Sequence, residues 1–221
     1  MKGIIKMQGR GRVSKGKNYE RQIAKELSQA FKTDVERTGG SGAYRGIQTK
    51  YNQAGKVGKV GFVGDLFFPK DHPLSIFNYE LKNHDKVRLT NIFNNNGEIP
   101  SFLEQVITDS NRLGGVGTTA PCLIIHVTRE DDYVVFPYNA NVYSDLVTKG
   151  PVMIKVMSFY QKRTELTYRY QMLITNLTTF EQVNPEQIQQ VYSKLDWDVL
   201  NHDLKPVSHE VDYDDLVDNI K

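Results

Sequence analysis

The chain has 221 residues, of which 39% are hydrophobic and 24% are charged. This composition is typical of a soluble globular protein and excludes global disorder. No run approaches the ~20 apolar residues of a membrane span, and the first ten residues lack the apolar core of a signal peptide. We therefore expect a cytoplasmic protein with no membrane partner.

The net charge of +2 conceals two ends of opposite sign. Residues 1–63 carry fourteen Lys and Arg against four Asp and Glu, whereas residues 181–221 carry three basic residues against ten acidic ones. This asymmetry indicates a front end that binds a polyanion, and an acidic tail. A solvated surface is the simpler interpretation of the tail; a docking segment and an autoinhibitory DNA mimic are the alternatives.

Residues 1–17 are rich in Lys, Arg and Gly and predict a flexible basic arm, with a merely frayed terminus as the alternative. Residues 18–31 then space Tyr19, Ile23 and Leu27 as the apolar stripe of a helix. Glu20 borders that stripe and could reach a neighbouring site, although an exposed glutamate is the simpler interpretation.

Glycines follow at positions 39, 40 and 42, around Arg37 and Ser41. They allow the backbone to approach a phosphate, with guanidinium and hydroxyl donors beside it. Residues 46–63 continue as a basic loop that could lie over nucleic acid, or as a plain connector. The basic candidates for contacts with DNA are Arg10, Arg12, Lys15, Lys17, Arg37, Arg45, Lys56 and Lys59.

The stretch from residue 64 to 82 carries the strongest chemical signal. Asp65 precedes a short apolar run, and Glu80 and Lys82 lie in the next run, after a proline-containing turn. An antiparallel hairpin would bring the two carboxylates together. Glu80 and Lys82 would share one face of their strand, with Leu81 directed into the core. Two carboxylates, a backbone carbonyl and a phosphate suit Mg²⁺.

The remaining elements are a helix over residues 100–113, strands at 123–127 and 132–136, a hairpin over 152–174 and a helix from Pro185 with Asn184 as its N-cap. An asparagine-rich loop is predicted at 91–97. Cys122 lies in an apolar strand and is predicted to be buried rather than to act as a nucleophile. His84 is interpreted as a solvated loop histidine.

The segments GKNYERQIAKEL, RTGGSGA, GDLFF, YELKN and, more loosely, FLEQVITD with PCLIIHV resemble the PD-(D/E)xK nuclease superfamily. Within it the chain is most similar to the archaeal-type and phage Holliday junction resolvases. The resemblance covers about residues 15–138. It implies an α/β (α+β) fold in which helices flank a central mixed β-sheet, as in restriction endonucleases.

The resemblance also implies roles for individual residues. Asp65, Glu80 and the Leu81 carbonyl would bind Mg²⁺, with Mn²⁺ able to substitute, and Glu20 would complete the site. Lys82 would orient or deprotonate the attacking water. Ser41 would lie near the scissile phosphate. The helix glutamine, Gln105, and the phosphate clamp, Arg37, would contact the DNA.

We therefore expect a flexible arm over residues 1–17, a nuclease core over 18–138, and a C-terminal hairpin and helix extension with an acidic tail over 139–221. The expected activity is that of a homodimeric endonuclease that resolves four-way or other branched DNA, encoded by a phage and acting in a bacterial host. A sequence-specific restriction-type endonuclease and a non-catalytic DNA-binding protein with the same fold remain alternatives.

Overall fold

The structure is a computed structural model that describes residues 9–38, 64–113, 119–194 and 207–208. Its helices are α1 (Gly9–Phe31), α2 (Leu89–Asn94), α3 (Ile99–Leu113), α4 (Ala140–Leu146), α5 (Leu177–Phe180) and α6 (Pro185–Tyr192), with a 3₁₀ turn at Pro73–Ile76. Its strands are β1 (Glu36–Arg37), β2 (Leu66–Phe67), β3 (Phe77–Asn83), β4 (Ala120–His126), β5 (Tyr133–Pro137), β6 (Val152–Gln161), β7 (Leu166–Asn176) and β8 (Val207–Ser208).

The described strands form one mixed sheet in the order β1-β2-β3-β4-β5-β7-β6, and β8 also pairs with β7. Strands β3 and β4 are parallel, and the other neighbours are antiparallel. A parallel pair needs a long crossover connection, which α2 and α3 supply here. The predicted α/β class with a central mixed sheet and flanking helices is confirmed.

Helices cover both faces of the central strands, so β3 and β4 are buried along most of their length. Helix α1 buries Ile23 and Leu27, and α3 buries Leu103, Val106 and Ile107. Parallel strands are normally buried by helices on both of their faces. Here the apolar side chains of α1 and α3 provide that cover.

The hairpin of β6 and β7 extends the same sheet beyond β5. Phe180 and Tyr192 pack against Phe77 of β3, and the Tyr192 hydroxyl donates to the Pro137 carbonyl. The first half of the predicted extension over residues 139–221 is thus continuous with the predicted core. Residues 195–206 and 209–221, which include most of the predicted acidic tail, lie outside the described residues.

Two local predictions differ from the structure. Helix α1 begins at Gly9, so residues 9–17 of the predicted flexible arm are helical; their Lys and Arg are good helix formers, and no proline interrupts them. The predicted loop at 91–97 overlaps α2, because Ile92 is fully buried and the Asn91 side chain accepts a hydrogen bond from the Arg88 backbone N–H, 2.9 Å away.

None of the helices in the described part of the chain is long and apolar enough to cross a membrane.

Candidate active site

The hairpin of β2 and β3 holds the two predicted carboxylates, as expected. Leu66 pairs with Tyr79, and the Asp65 backbone N–H donates to the Tyr79 carbonyl at 2.6 Å. The Asp65 carboxylate then accepts from the Leu81 N–H, 2.8 Å from Oδ2. Since the N–H and C=O of one strand residue point to the same side, the Leu81 carbonyl also faces the edge where Asp65 lies.

At Gly64 the backbone passes close to β3, and this places Asp65 beside that strand. The Gly64 φ of +104° is rarely adopted by residues with a side chain. A Cβ atom there would collide with the Asn78 side-chain oxygen and lie 2.6 Å from the Tyr79 carbonyl. Thr38 fixes the same turn, because its backbone N–H donates to the Asp65 carbonyl at 2.9 Å and its hydroxyl to the Gly64 carbonyl at 2.5 Å.

Glu80, Lys82 and Gln105 form a closed triangle of hydrogen bonds between β3 and α3. Lys82 Nζ donates to Glu80 Oε1 at 2.6 Å and to Gln105 Oε1 at 2.7 Å. Gln105 Nε2 donates back to Glu80 Oε1 at 2.7 Å. The ammonium of Lys82 also lies 5.3 Å from the centre of the Phe102 ring, within cation–π range. The predicted shared face of Glu80 and Lys82 is therefore present.

The electrostatics of the two carboxylates favour a bound cation. Burial, the charge of Glu80 and the charge of Glu20 raise the pKa of Asp65 to about 7, against the lowering effects of the Leu81 N–H and Lys82. Burial likewise raises the pKa of Glu80, although Lys82 lowers it. Like charges held together out of water are costly unless a cation meets them.

Asp65 and Glu80 fit a hard divalent ion. Each uses one carboxylate oxygen for the hydrogen bonds above, Oδ2 of Asp65 and Oε1 of Glu80, and the other oxygen of each could bind a metal. With the Leu81 carbonyl these are the oxygen ligands that Mg²⁺ prefers. Within the described ranges, however, no three Asp, Glu, His or Cys side chains gather closely enough to hold an ion by themselves.

Glu20 lies beside this pair but contacts Arg37 instead. The guanidinium Nη1 of Arg37 is 2.9 Å from Glu20 Oε2, and both side chains are about one-fifth exposed. Glu20 still acts on the site through its charge, since it raises the pKa of both Asp65 and Glu80. The structure therefore joins the predicted metal ligand of α1 to the predicted phosphate clamp of β1.

The other predicted contacts are distributed as follows. Lys15 pairs with Asp85 in the loop after β3, and Lys17 is exposed on α1. Ser41, Arg45, Lys56 and Lys59 lie outside the described residues, as do the side chains of Arg10 and Arg12.

Two contacts were not predicted: that of the Lys82 ammonium with the Phe102 ring, and that of the His84 ring with the same Phe102 ring. The sequence spacing could have predicted these contacts. Phe102 and Gln105 share one face of α3, and Glu98 lies four positions before Phe102. That face is directed toward the alternating side chains of β3.

A family model described as "Phage putative PDDEXK endonuclease" matches residues 11–190. Comparisons with curated proteins and with solved structures returned no match. The matched range contains Glu20, Asp65, Glu80, Lys82 and Gln105, and it runs from α1 to α6. The chain belongs to this phage endonuclease family, and hence to the PD-(D/E)xK nuclease superfamily with its restriction-endonuclease-like α/β fold.

Proposed function

We propose that this nuclease is a Mg²⁺-dependent endodeoxyribonuclease that cuts branched DNA as a homodimer, in the manner of a Holliday junction resolvase. The observation that carries the chemistry is the placement of Asp65 beside β3, with Glu80 and Lys82 on one face of that strand. Adjacent carboxylates next to a lysine suit phosphodiester hydrolysis.

Asp65, Glu80 and the Leu81 carbonyl would hold the divalent ion, and Glu20 would join them once it leaves Arg37. The ion would supply Lewis acidity, offsetting charge on the phosphate and making a nearby water more acidic. Lys82 lies at 2.6 Å from Glu80, so its ammonium is placed to orient that water or to offset charge that builds up in the transition state. Arg37, released from Glu20, would clamp a phosphate oxygen.

The choice of branched DNA rests on the resemblance of the motifs around Glu20, Ser41, Asp65 and Glu80 to those of junction resolvases. A two-fold dimer would present two such sites to strands of opposite polarity. The strongly basic composition of residues 1–63 supports binding to a phosphate-dense substrate.

The test compares cleavage of a four-way junction with cleavage of a linear duplex of the same sequence, in Mg²⁺ and in EDTA. We expect paired nicks with 5′-phosphate and 3′-hydroxyl ends near the branch point, no cutting in EDTA, and slow cutting of the duplex. Cutting of the linear duplex at one sequence would overturn the resolvase assignment and favour a restriction-type enzyme.

Glu80→Ala tests the site assignment in the same assay. We expect it to abolish cutting while leaving junction binding within about twofold, because phosphate contacts rather than Glu80 supply affinity. A second readout is thermal: Mg²⁺ at about ten times its dissociation constant should stabilise the wild type by about 1.4 kcal/mol, and Glu80→Ala should lose that gain. Retained cutting by Glu80→Ala would contradict the assignment.

A further inference from the structure

His84 follows β3 and contacts the same aromatic ring, that of Phe102, as the proposed catalytic Lys82. The ring centre of His84 is 4.9 Å from that of Phe102, in an edge-on arrangement, and the same Phe102 ring faces the Lys82 ammonium at 5.3 Å. Phe102 itself is buried. The buried Phe102 ring thus contacts both basic side chains near the end of β3.

Glu98 sets the orientation of His84. Nδ1 of His84 lies 3.0 Å from Glu98 Oε2, and a carboxylate can only accept, so Nδ1 carries the proton of this hydrogen bond. Nε2 is then the nitrogen left for another partner. Among the described residues, the charged groups that bear on His84 are Glu98 in contact, Lys82, which contacts the same Phe102 ring, and Asp85 and Lys86 in its own loop.

The side chains of His84 and Glu98 are accessible to a partner in solution. They are 44% and 49% exposed, and a contact this accessible contributes little to folding. Glu98 immediately precedes α3, whose Gln105 contacts Glu80 and Lys82. The hydrogen bond between His84 and Glu98 therefore joins the loop after β3 to the start of α3, the helix that carries Gln105.

We propose that His84 is a DNA-contacting residue of this site, with its Nε2–H donating to a backbone phosphate oxygen next to the bond that Lys82 addresses, and that Glu98 and Phe102 are its positioning residues. The proposal rests on the proposed nuclease function. A doubly protonated imidazole has two N–H donors, one for Glu98 and one for a phosphate oxygen.

The test measures binding of a fluorescein-labelled four-way junction, and of a linear duplex, by fluorescence anisotropy in EDTA, where no cutting occurs. Wild type, His84→Ala and His84→Lys are compared at about pH 6, below the ordinary pKa of an imidazole, over a range of salt concentrations. We expect His84→Ala to bind about tenfold more weakly at low salt. Its plot of log affinity against log salt should be shallower by about one.

His84→Lys keeps a cation at this position and should restore the salt slope, whereas an effect through folding would not be rescued by it. In Mg²⁺, His84→Ala should raise KM more than it lowers kcat. Equal salt slopes for wild type and His84→Ala would overturn the proposal, and so would equal weakening by His84→Ala and His84→Lys.

Thermal melting checks that all three proteins are folded, and His84→Gln, which keeps a polar side chain without charge, replaces His84→Ala should that variant melt early. If the wild type binds and cuts the junction and the His84 variants do so equally well, only the proposed role of His84 is refuted. A wild type that neither binds nor cuts DNA removes the proposed function itself.

Discussion

Arg37 of β1 and Glu20 of α1 form a half-buried ion pair of 2.9 Å, and this pair ties the first helix to the edge strand of the sheet. Glu20 also raises the pKa of Asp65 and Glu80 through its charge. Arg37 therefore offsets the charge of one of three carboxyl groups that the fold places in the same neighbourhood. Breaking the pair leaves that charge uncompensated.

A double-mutant cycle of Glu20→Gln and Arg37→Gln should reveal this coupling. We expect Arg37→Gln alone to destabilise the metal-free protein, since it leaves the Glu20 charge beside Asp65 and Glu80. The double variant should be more stable than the sum of the single effects predicts, by about 1 kcal/mol. Urea unfolding in EDTA measures the four free energies. Strict additivity would show that the pair carries no interaction energy.

Gln105 should control the rate of cutting through Glu80 and Lys82. Gln105→Leu removes both hydrogen bonds of Gln105 in the triangle, and loss of such a supporting partner typically costs 10–100-fold in activity or metal affinity. We expect a fall in kcat of about tenfold with nearly unchanged junction binding. Glu104→Ala is the matched control, because Glu104 is the preceding residue of α3 and therefore lies on a different part of the helix surface. Equal kcat for wild type and Gln105→Leu would contradict the role.

Gly64→Ala and Gly16→Ala should change stability in opposite directions. At Gly64 the added methyl meets a positive φ, the Asn78 side chain and the Tyr79 carbonyl, so we expect a loss of about 1–3 kcal/mol together with loss of cutting. At Gly16, within α1, nothing lies within 4 Å of the added methyl. The variant should gain about 0.5–1 kcal/mol of helix stability.

Chemical denaturation of both glycine variants measures these two changes. A neutral effect of Gly64→Ala would mean that the turn before Asp65 relaxes freely and does not position the carboxylate.

Cys122 should resist alkylation in the native state. The side chain is fully buried in β4, and burial raises the pKa of its thiol well above the ordinary value. Because the thiolate is the reactive form, native labelling by iodoacetamide should remain slow from about pH 7 to pH 9 and become fast in urea. Mass spectrometry after timed quenching measures the labelled fraction. Fast labelling of folded protein would contradict the burial.

The local pattern around β3 was predictable because alternation of side chains is a property of one strand. Glu80 and Lys82 lie on one face, and Asn184 caps α6 by accepting from the Gln187 N–H at 3.2 Å; both are confirmed. The hairpin of β2 and β3 followed from the turn residues between them. Each of these features depends on residues close together in the chain.

Features set by distant contacts were not predictable in the same way. The parallel pairing of β3 with β4 and the insertion of β7 between β5 and β6 depend on which strands meet in three dimensions. The asparagines around Asn91 favour a loop by propensity, yet burial of Ile92 stabilises α2 there. His84 is exposed, as expected for a solvated loop histidine, but its contact with Glu98, fourteen positions away, could not be predicted from the local sequence.

The environment of Lys82 has a consequence for the binding of a ligand at Glu80. An ammonium has three N–H bonds, and here Glu80, Gln105 and the face of Phe102 surround it. Glu80 and Gln105 accept from two of these N–H bonds, so the loss of either contact would give Lys82 a further donor for water or phosphate. A ligand that draws the Glu80 carboxylate away would free that donor. Binding of that ligand at Glu80 and the gain of a donor at Lys82 would then be coupled.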